Sequence, residues 1–185
     1  YGAPEEGESS GDSKVLDFAA DACTAAKDLV DFSKYDWDGD GKVDNVYILF
    51  AGFSEARGAD PNCLWPHQWV VHDRELVIDE VRIWNYACSN ELISGGDAPV
   101  LDGIGTACHE FSHTLGLADI YNTQGGKDFV GKWDVMSIGS YIGKKWGDGT
   151  HHMAYSAFER WQLGWLEPVS YQHLTLPTNR EASIQ

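Results

Sequence analysis

His109-Glu110-Phe111-Ser112-His113-Thr114-Leu115-Gly116-Leu117-Ala118-Asp119 carries two histidines four residues apart. The spacing predicts a helix from about Asp102 to Leu115, stopped by Gly116, a typical C-terminal residue. Residues four apart share a helix face, so both rings reach one point. Neutral imidazoles at that spacing suit zinc. Glu110 follows the first histidine, so it projects beside such a metal rather than onto it, where it can hold a water. A two-histidine site needs a further protein ligand. Gly116 lets the chain leave the helix in a conformation costly for other residues. Asp119 can then swing back and supply an oxygen. One position stays open, as a catalytic zinc site requires. Five specified letters in this order seldom arise by chance on an amphipathic helix.

Further along lies Trp133-Asp134-Val135-Met136-Ser137-Ile138-Gly139-Ser140-Tyr141. A methionine among small residues is usually a core filler. Placed after the histidine pair, Met136 looks like the Met-turn beneath a metzincin zinc. A tetrahedral oxyanion needs a donor besides the metal. Tyr141 is a candidate for that role, and a packing tyrosine is the other reading. An alternative third metal ligand is Glu159, in Ala157-Phe158-Glu159-Arg160. His151 and His152 are adjacent and read as surface or helix-start residues, because neighbours on a helix do not face one metal. His67, among aromatics, reads as a core or cleft histidine. Gly103-Ile104-Gly105 lacks the third glycine of a dinucleotide loop.

The segment Asp36 to Asp44 is acidic and holds Gly39 and Gly41. Asp36, Asp38, Asp40 and Asp44 take positions one, three, five and nine of an EF-hand-like loop, and Lys42 offers a backbone carbonyl at seven. Position twelve is Tyr47 rather than a bidentate Glu, and a strand follows. The loop is therefore no EF-hand, although its D-x-D-x-D-G core is intact. Close carboxylates repel unless a cation neutralises them. Structural calcium is the expected occupant, a solvated acidic turn the alternative, and Glu55 a further candidate ligand.

Around these motifs, apolar spacing predicts a helix over Ser13–Val30 and a buried strand over Asn45–Ala51. Further strands are expected over His67–His72 and Glu75–Ala87. In the latter, Val81, Ile83, Asn85 and Ala87 share one face, and Arg82, Trp84 and Tyr86 the other. Gly95–Pro99 reads as a break and Asn122–Lys132 as a loop. A last helix is expected over Met153–Leu163, ended by Gly164. Residues 1–12 read as an arm, 1–168 as one domain, and 169–185 as a tail or a truncated start of a following segment. The fold class expected is α/β.

The 185 residues are 43% hydrophobic and 12% aromatic, enough apolar mass for a core. No apolar run approaches the length of a membrane span. Asp and Glu number 29 against 13 Lys and Arg, a net charge of −16. That surface repels phosphate backbones, so nucleic acid is an unexpected partner. Cys23, Cys63, Cys88 and Cys108 form no C-x-x-C pair; two disulfides or four buried thiols are both open. The chain starts at Tyr1 without a signal-peptide pattern, as a processed or excised segment would.

Taken together, these motifs resemble the immune inhibitor A family of secreted bacterial metallopeptidases, in the metzincin clan. The resemblance rests on the pattern at 109–119 and on Trp133-Asp134-Val135-Met136-Ser137. It also includes Tyr35-Asp36-Trp37-Asp38-Gly39-Asp40-Gly41 with a strand ending Ala51-Gly52, then Trp65-Pro66-His67 and Gly164-Trp165-Leu166. It covers about residues 1–168. It implies a zinc endopeptidase of metzincin type with a mixed twisted sheet, an active-site helix and a Met-turn. Glu110 would be the general base, and His109, His113 and Asp119 the ligands. It also implies protein or peptide substrates, an exported or cell-surface location and, by default, a monomer. Asp119 stands where many metzincins have a third histidine. A non-catalytic calcium-dependent binding domain on a protease fold is the competing reading. Intact Glu110 argues against it.

Overall fold

Val15, Leu16, Ala19 and Cys23 recur at helical steps, and all are buried. They wind α1 (Ser13–Ala26). It ends short of the expected Val30 because the Leu29 and Val30 amides both fold back onto the Ala26 carbonyl, at 2.8 and 2.9 Å. The structure, a computed structural model, describes residues 13–72, 74–94, 98–123 and 129–167. The expected N-terminal arm and the 169–185 tail lie outside the described residues.

Five strands follow α1 in order: β1 (Val46–Phe50), β2 (His67–Val70), β3 (Val77–Ile78), β4 (Val81–Arg82) and β5 (Asn85–Asn90). β5 is central, in the order β1-β5-β2. β1 runs parallel to it, with Val46 opposite Tyr86 and Phe50 opposite Asn90. β2 runs antiparallel, with His67 opposite Cys88. The domain is thus α/β with a small mixed sheet.

The expected single strand over Glu75–Ala87 is in fact a tight hairpin, β3 and β4, followed by β5. Asp79 and Glu80 turn the chain at φ of 53° and 67°. Positive φ at both central residues matches the twist of the flanking strands. The Asp79 carboxylate also accepts the Phe32 amide at 2.9 Å, which ties the turn to the core. Alternation separated Ala87 from Tyr86, yet both are fully buried. A central strand in a parallel pairing is covered on both faces. Here α1 packs on Tyr86 and Cys88, and α2 (Ile104–Thr114) also lies against β5. β6 (Leu92–Ser94) and β7 (Pro99–Leu101) pair antiparallel and flank the expected Gly95–Pro99 break, of which residues 95–97 lie outside the described residues.

Gly103 and Gly105 open α2 for a steric reason. A Cβ on Gly105 would collide with the Ser140 carbonyl, and one on Gly103 with the Gly149 backbone. Their absence lets the helix start pack against the segment after Met136. α3 (Ala157–Gln162) is shorter than expected. Ser156 stops it on the N-terminal side as an extended N-cap, in a reciprocal capping box with Glu159. Within the expected loop Asn122–Lys132, Gly131 begins a short 3-10 turn through Trp133, and residues 124–128 lie outside the described residues.

Apolar residues gather in three clusters. One joins α1 to the sheet. The second holds Cys23, Phe32, Val43, Val81 and Ile83. The third joins Leu117, Val135 and Met136, with Cys108, Ile120, Tyr155 and Leu163 against them. All four cysteines are free thiols, so neither disulfide is formed. Among the described residues, no helix is long and apolar enough to cross a membrane.

Candidate metal centre

α2 presents His109 and His113 with ring centroids 4.9 Å apart and planes at 89°. Gly116 then takes φ of 91°, and the chain reverses. The Leu117 amide closes the turn on the Ser112 carbonyl at 3.2 Å. Asp119 returns with Oδ1 at 3.0 Å from His109 Nε2 and 3.3 Å from His113 Nε2. One ligand atom from each of the three lies within 4.8 Å of the others.

The hydrogen bonds around this group decide what it can hold. His109 Nδ1 lies 2.8 Å from the Val135 carbonyl, and His113 Nδ1 2.8 Å from the Leu117 carbonyl. A carbonyl only accepts, so each Nδ1 carries a proton, and each neutral ring turns the Nε2 lone pair inward. Asp119 Oδ1 is buried and finds no hydrogen bond. Three lone pairs therefore converge with no proton between them, a donor set that fits a divalent cation of zinc type. Without a cation, the same convergence draws protons. Burial opposes charge on both rings, yet Asp119 holds His109 and His113 above the ordinary histidine value. Burial opposes its charge too, but the two imidazoles keep Asp119 well below the usual carboxylate range.

Glu110 is buried beside this group, and that burial lifts its carboxyl to about 7, against the pull of the two histidines. It faces a cleft of about 290 Å³, also lined by Trp65, His67, Gln68 and Tyr121. A smaller pocket of about 90 Å³ adjoins it, between Glu110, Thr106, Ser137, Ser140 and Tyr141. Tyr141 is thus near Glu110 but outside the three-residue group. The Arg57 guanidinium lies 4.9 Å from its ring centroid. Burial raises the Tyr141 phenol, with Arg57 opposing. His67 spends both nitrogens, Nδ1 near the Trp65 carbonyl at 2.7 Å and Nε2 near the Tyr86 hydroxyl at 2.8 Å. It is a satisfied cleft histidine.

Met136 is fully buried in the third cluster, and the backbone around it reaches both halves of the centre. The Val135 carbonyl takes His109, and the Met136 carbonyl takes the Ile120 amide at 3.0 Å, next to Asp119. Sequence reading missed Tyr121. Its ring stacks on His109 at 6.2 Å and 29°, and it lines the same cleft as Asp119. Its position two residues past Asp119 was the available signal.

Other expected residues fall elsewhere. Glu159 lies outside the three-residue group: its Oε2 accepts the Ser156 amide at 2.7 Å and hydroxyl at 2.8 Å in the cap of α3. His151 and His152 are exposed and outside the group. In the acidic loop, Asp36, Asp38 and Asp40 bring one oxygen each within 4.8 Å of the others. Asp44 is turned away to accept the Trp37 amide at 2.7 Å. Lys42 pairs through its ammonium with Asp40 at 2.5 Å. Glu55 stands outside that group, in a separate 3-10 turn, Glu55–Arg57.

The model of the immune inhibitor A peptidase M6 catalytic domain matches residues 6–166. Immune inhibitor A of Bacillus thuringiensis subsp. alesti is 30% identical over 69% of this chain and 22% of its own length. Pre-pro-metalloprotease PrtV of Vibrio cholerae serotype O1 strain M66-2 is 29% identical over 69% of this chain and 15% of its own. The chain therefore spans less than a quarter of the length of either relative. The family model covers the helix that carries His109 and His113 and the turn that returns Asp119 to them, and the chain belongs to the immune inhibitor A peptidase M6 family of metalloproteases.

Proposed function

We propose that this domain is an exported zinc endopeptidase that hydrolyses protein or peptide substrates as a monomer, over residues 1–168. The observation that carries the reading is the convergence of His109 Nε2, His113 Nε2 and Asp119 Oδ1 with both Nδ1 atoms bonded outward. Zinc held there supplies Lewis-acid polarisation of a water and of the scissile carbonyl. Glu110 receives the water's proton on its carboxylate and delivers it to the leaving amine. Tyr121 steadies His109 from the outside. Tyr141, across the small pocket from Glu110, is the candidate donor to the developing oxyanion. Metzincin membership, implied by the Met136 turn, belongs to this proposal. The test is zinc content together with cleavage of unfolded casein, with and without chelator. A zinc-loaded chain with no chelator-sensitive cleavage sinks the catalytic reading.

We also propose a structural calcium site in the acidic loop. Asp36, Asp38 and Asp40 supply side-chain oxygens and Lys42 its carbonyl. Asp44 joins only if its bond to Trp37 is released. The proximity of three carboxylates supports it. The Vibrio relative's description as a pre-pro-metalloprotease supports the export reading.

A further inference from the structure

Two buried carboxyls take no part in this chemistry. Asp134 opens the turn under the metal centre, and Glu159 lies in the first turn of α3; they are 1% and 2% exposed. The Ser156 amide donates to both, at 3.0 Å to Asp134 Oδ2 and 2.7 Å to Glu159 Oε2. The Met136 amide donates to Asp134 Oδ1 at 2.9 Å. Glu159 Oε1 is buried and finds no donor. Two carboxylates on one N–H, with a buried oxygen left over, repel if both ionise. One proton held by the pair removes a charge.

Neighbouring charged groups point elsewhere. Arg160 on α3 directs Nε to the Ser156 carbonyl at 3.4 Å. The Lys132 ammonium sits 5.9 Å over the Trp133 ring. His109 meets the turn through the Val135 carbonyl, and the Tyr155 hydroxyl meets Ser112. Burial and the Asp134 carboxyl both raise Glu159 above its ordinary value, with Ser156 opposing in part.

We propose that Asp134 and Glu159 share one proton and are positioning residues for His109. The path is short. Asp134 holds the Met136 amide, its carbonyl holds the Ser137 and Gly139 amides, and Val135 between them holds His109. This rests on reading His109 as a metal ligand, so the tests separate the two ideas.

The first test uses the full chain, metal-free, in a Glu110→Gln background. That removes autolysis and the other buried carboxyl that is raised. Infrared spectra should show a protonated-carboxyl band persisting above pH 4.5, the ordinary Glu value, and Glu159→Gln should abolish it. A folded-state pKa that is raised gives stability that is full below the unfolded pKa and lost as pH rises through the folded one. Melting temperature should therefore fall as pH rises from 4.5, and Glu159→Gln, or Asp134→Asn, should flatten that slope. An absent band, or an unchanged slope in both variants, overturns the shared proton. The second test is zinc titration in the same background. Asp134→Ala should lower affinity on the order of 10–100-fold, while Glu159→Gln, which can donate where the acid did, keeps it. Undiminished affinity in Asp134→Ala overturns the positioning role. Failure of the metal reading looks different: the parent chain itself then takes up no zinc, while band and slope remain.

Discussion

Glu110 and Asp119 are both carboxylates beside the same two imidazoles, yet their environments push them apart. Glu110 is 7% exposed and rises to about 7 through burial. Asp119 is more open and falls under the pull of the histidines. That difference supports the proposed division, in which one carboxyl handles protons and the other binds metal. Glu110→Gln should keep zinc and lose about 10²–10⁴-fold in casein turnover. Near-normal turnover would remove it as general base. Asp119→Ala should strip most of the zinc at micromolar metal, because two imidazoles remain. Tyr121→Phe keeps the stack on His109 and removes the hydroxyl from the cleft that Asp119 also lines, so zinc affinity should drop by roughly 10-fold. Equilibrium dialysis of all three against the parent chain checks the order, and an unaffected Tyr121→Phe would leave Tyr121 as packing alone.

At the scale of elements, α2 is the part that must not move. Its start is seated through Gly103 and Gly105 against the segment that follows Met136. Gly105→Ala should cost roughly 1–3 kcal/mol from overpacking against backbone that cannot rotate away. A urea melt measures this, and a midpoint within error of wild type would mean that the contact is loose. The 109–119 motif was legible because helix periodicity and a glycine stop are local properties. The hairpin of β3 and β4 was not. Asp79 and Glu80 lack the glycine or asparagine that marks such turns, and the bond from Phe32 that ties Asp79 comes from far along the chain.

For the whole molecule, two of the three apolar clusters keep Cys23 and Cys88 from reagents. Burial raises Cys23 to about 11 and Cys88 to about 12. Since the thiolate is the reactive form, both should resist alkylation at neutral pH until the chain unfolds. Mass-spectrometric mapping with iodoacetamide, with and without urea, reads this directly; early labelling of Cys88 would show that the α1–sheet core opens. The acidic loop acts at the same scale because β1 begins just after it. Calcium that binds only the folded chain stabilises it by about 2.7 kcal/mol at a hundredfold excess over Kd. Melting the zinc-loaded Glu110→Gln chain across a calcium titration should show a rising midpoint. A flat midpoint through millimolar calcium leaves the loop to Lys42 and solvent.

The sequence by itself determined the fold class, the helix that carries the motif, and the grouping of His109, His113 and Asp119. Each depends on spacings of a few residues, where backbone geometry leaves little choice. Only the tertiary structure decided which carbonyl fixes His109, because Val135 lies far along the chain from it. It alone placed Tyr121 on His109 and engaged Glu159 in the cap of α3. It also buried Tyr86 together with Ala87, since a central strand's exposure is set by the helices packed on it. Those facts turn on which distant segments meet, and one chain's local pattern does not encode the partner of a hydrogen bond.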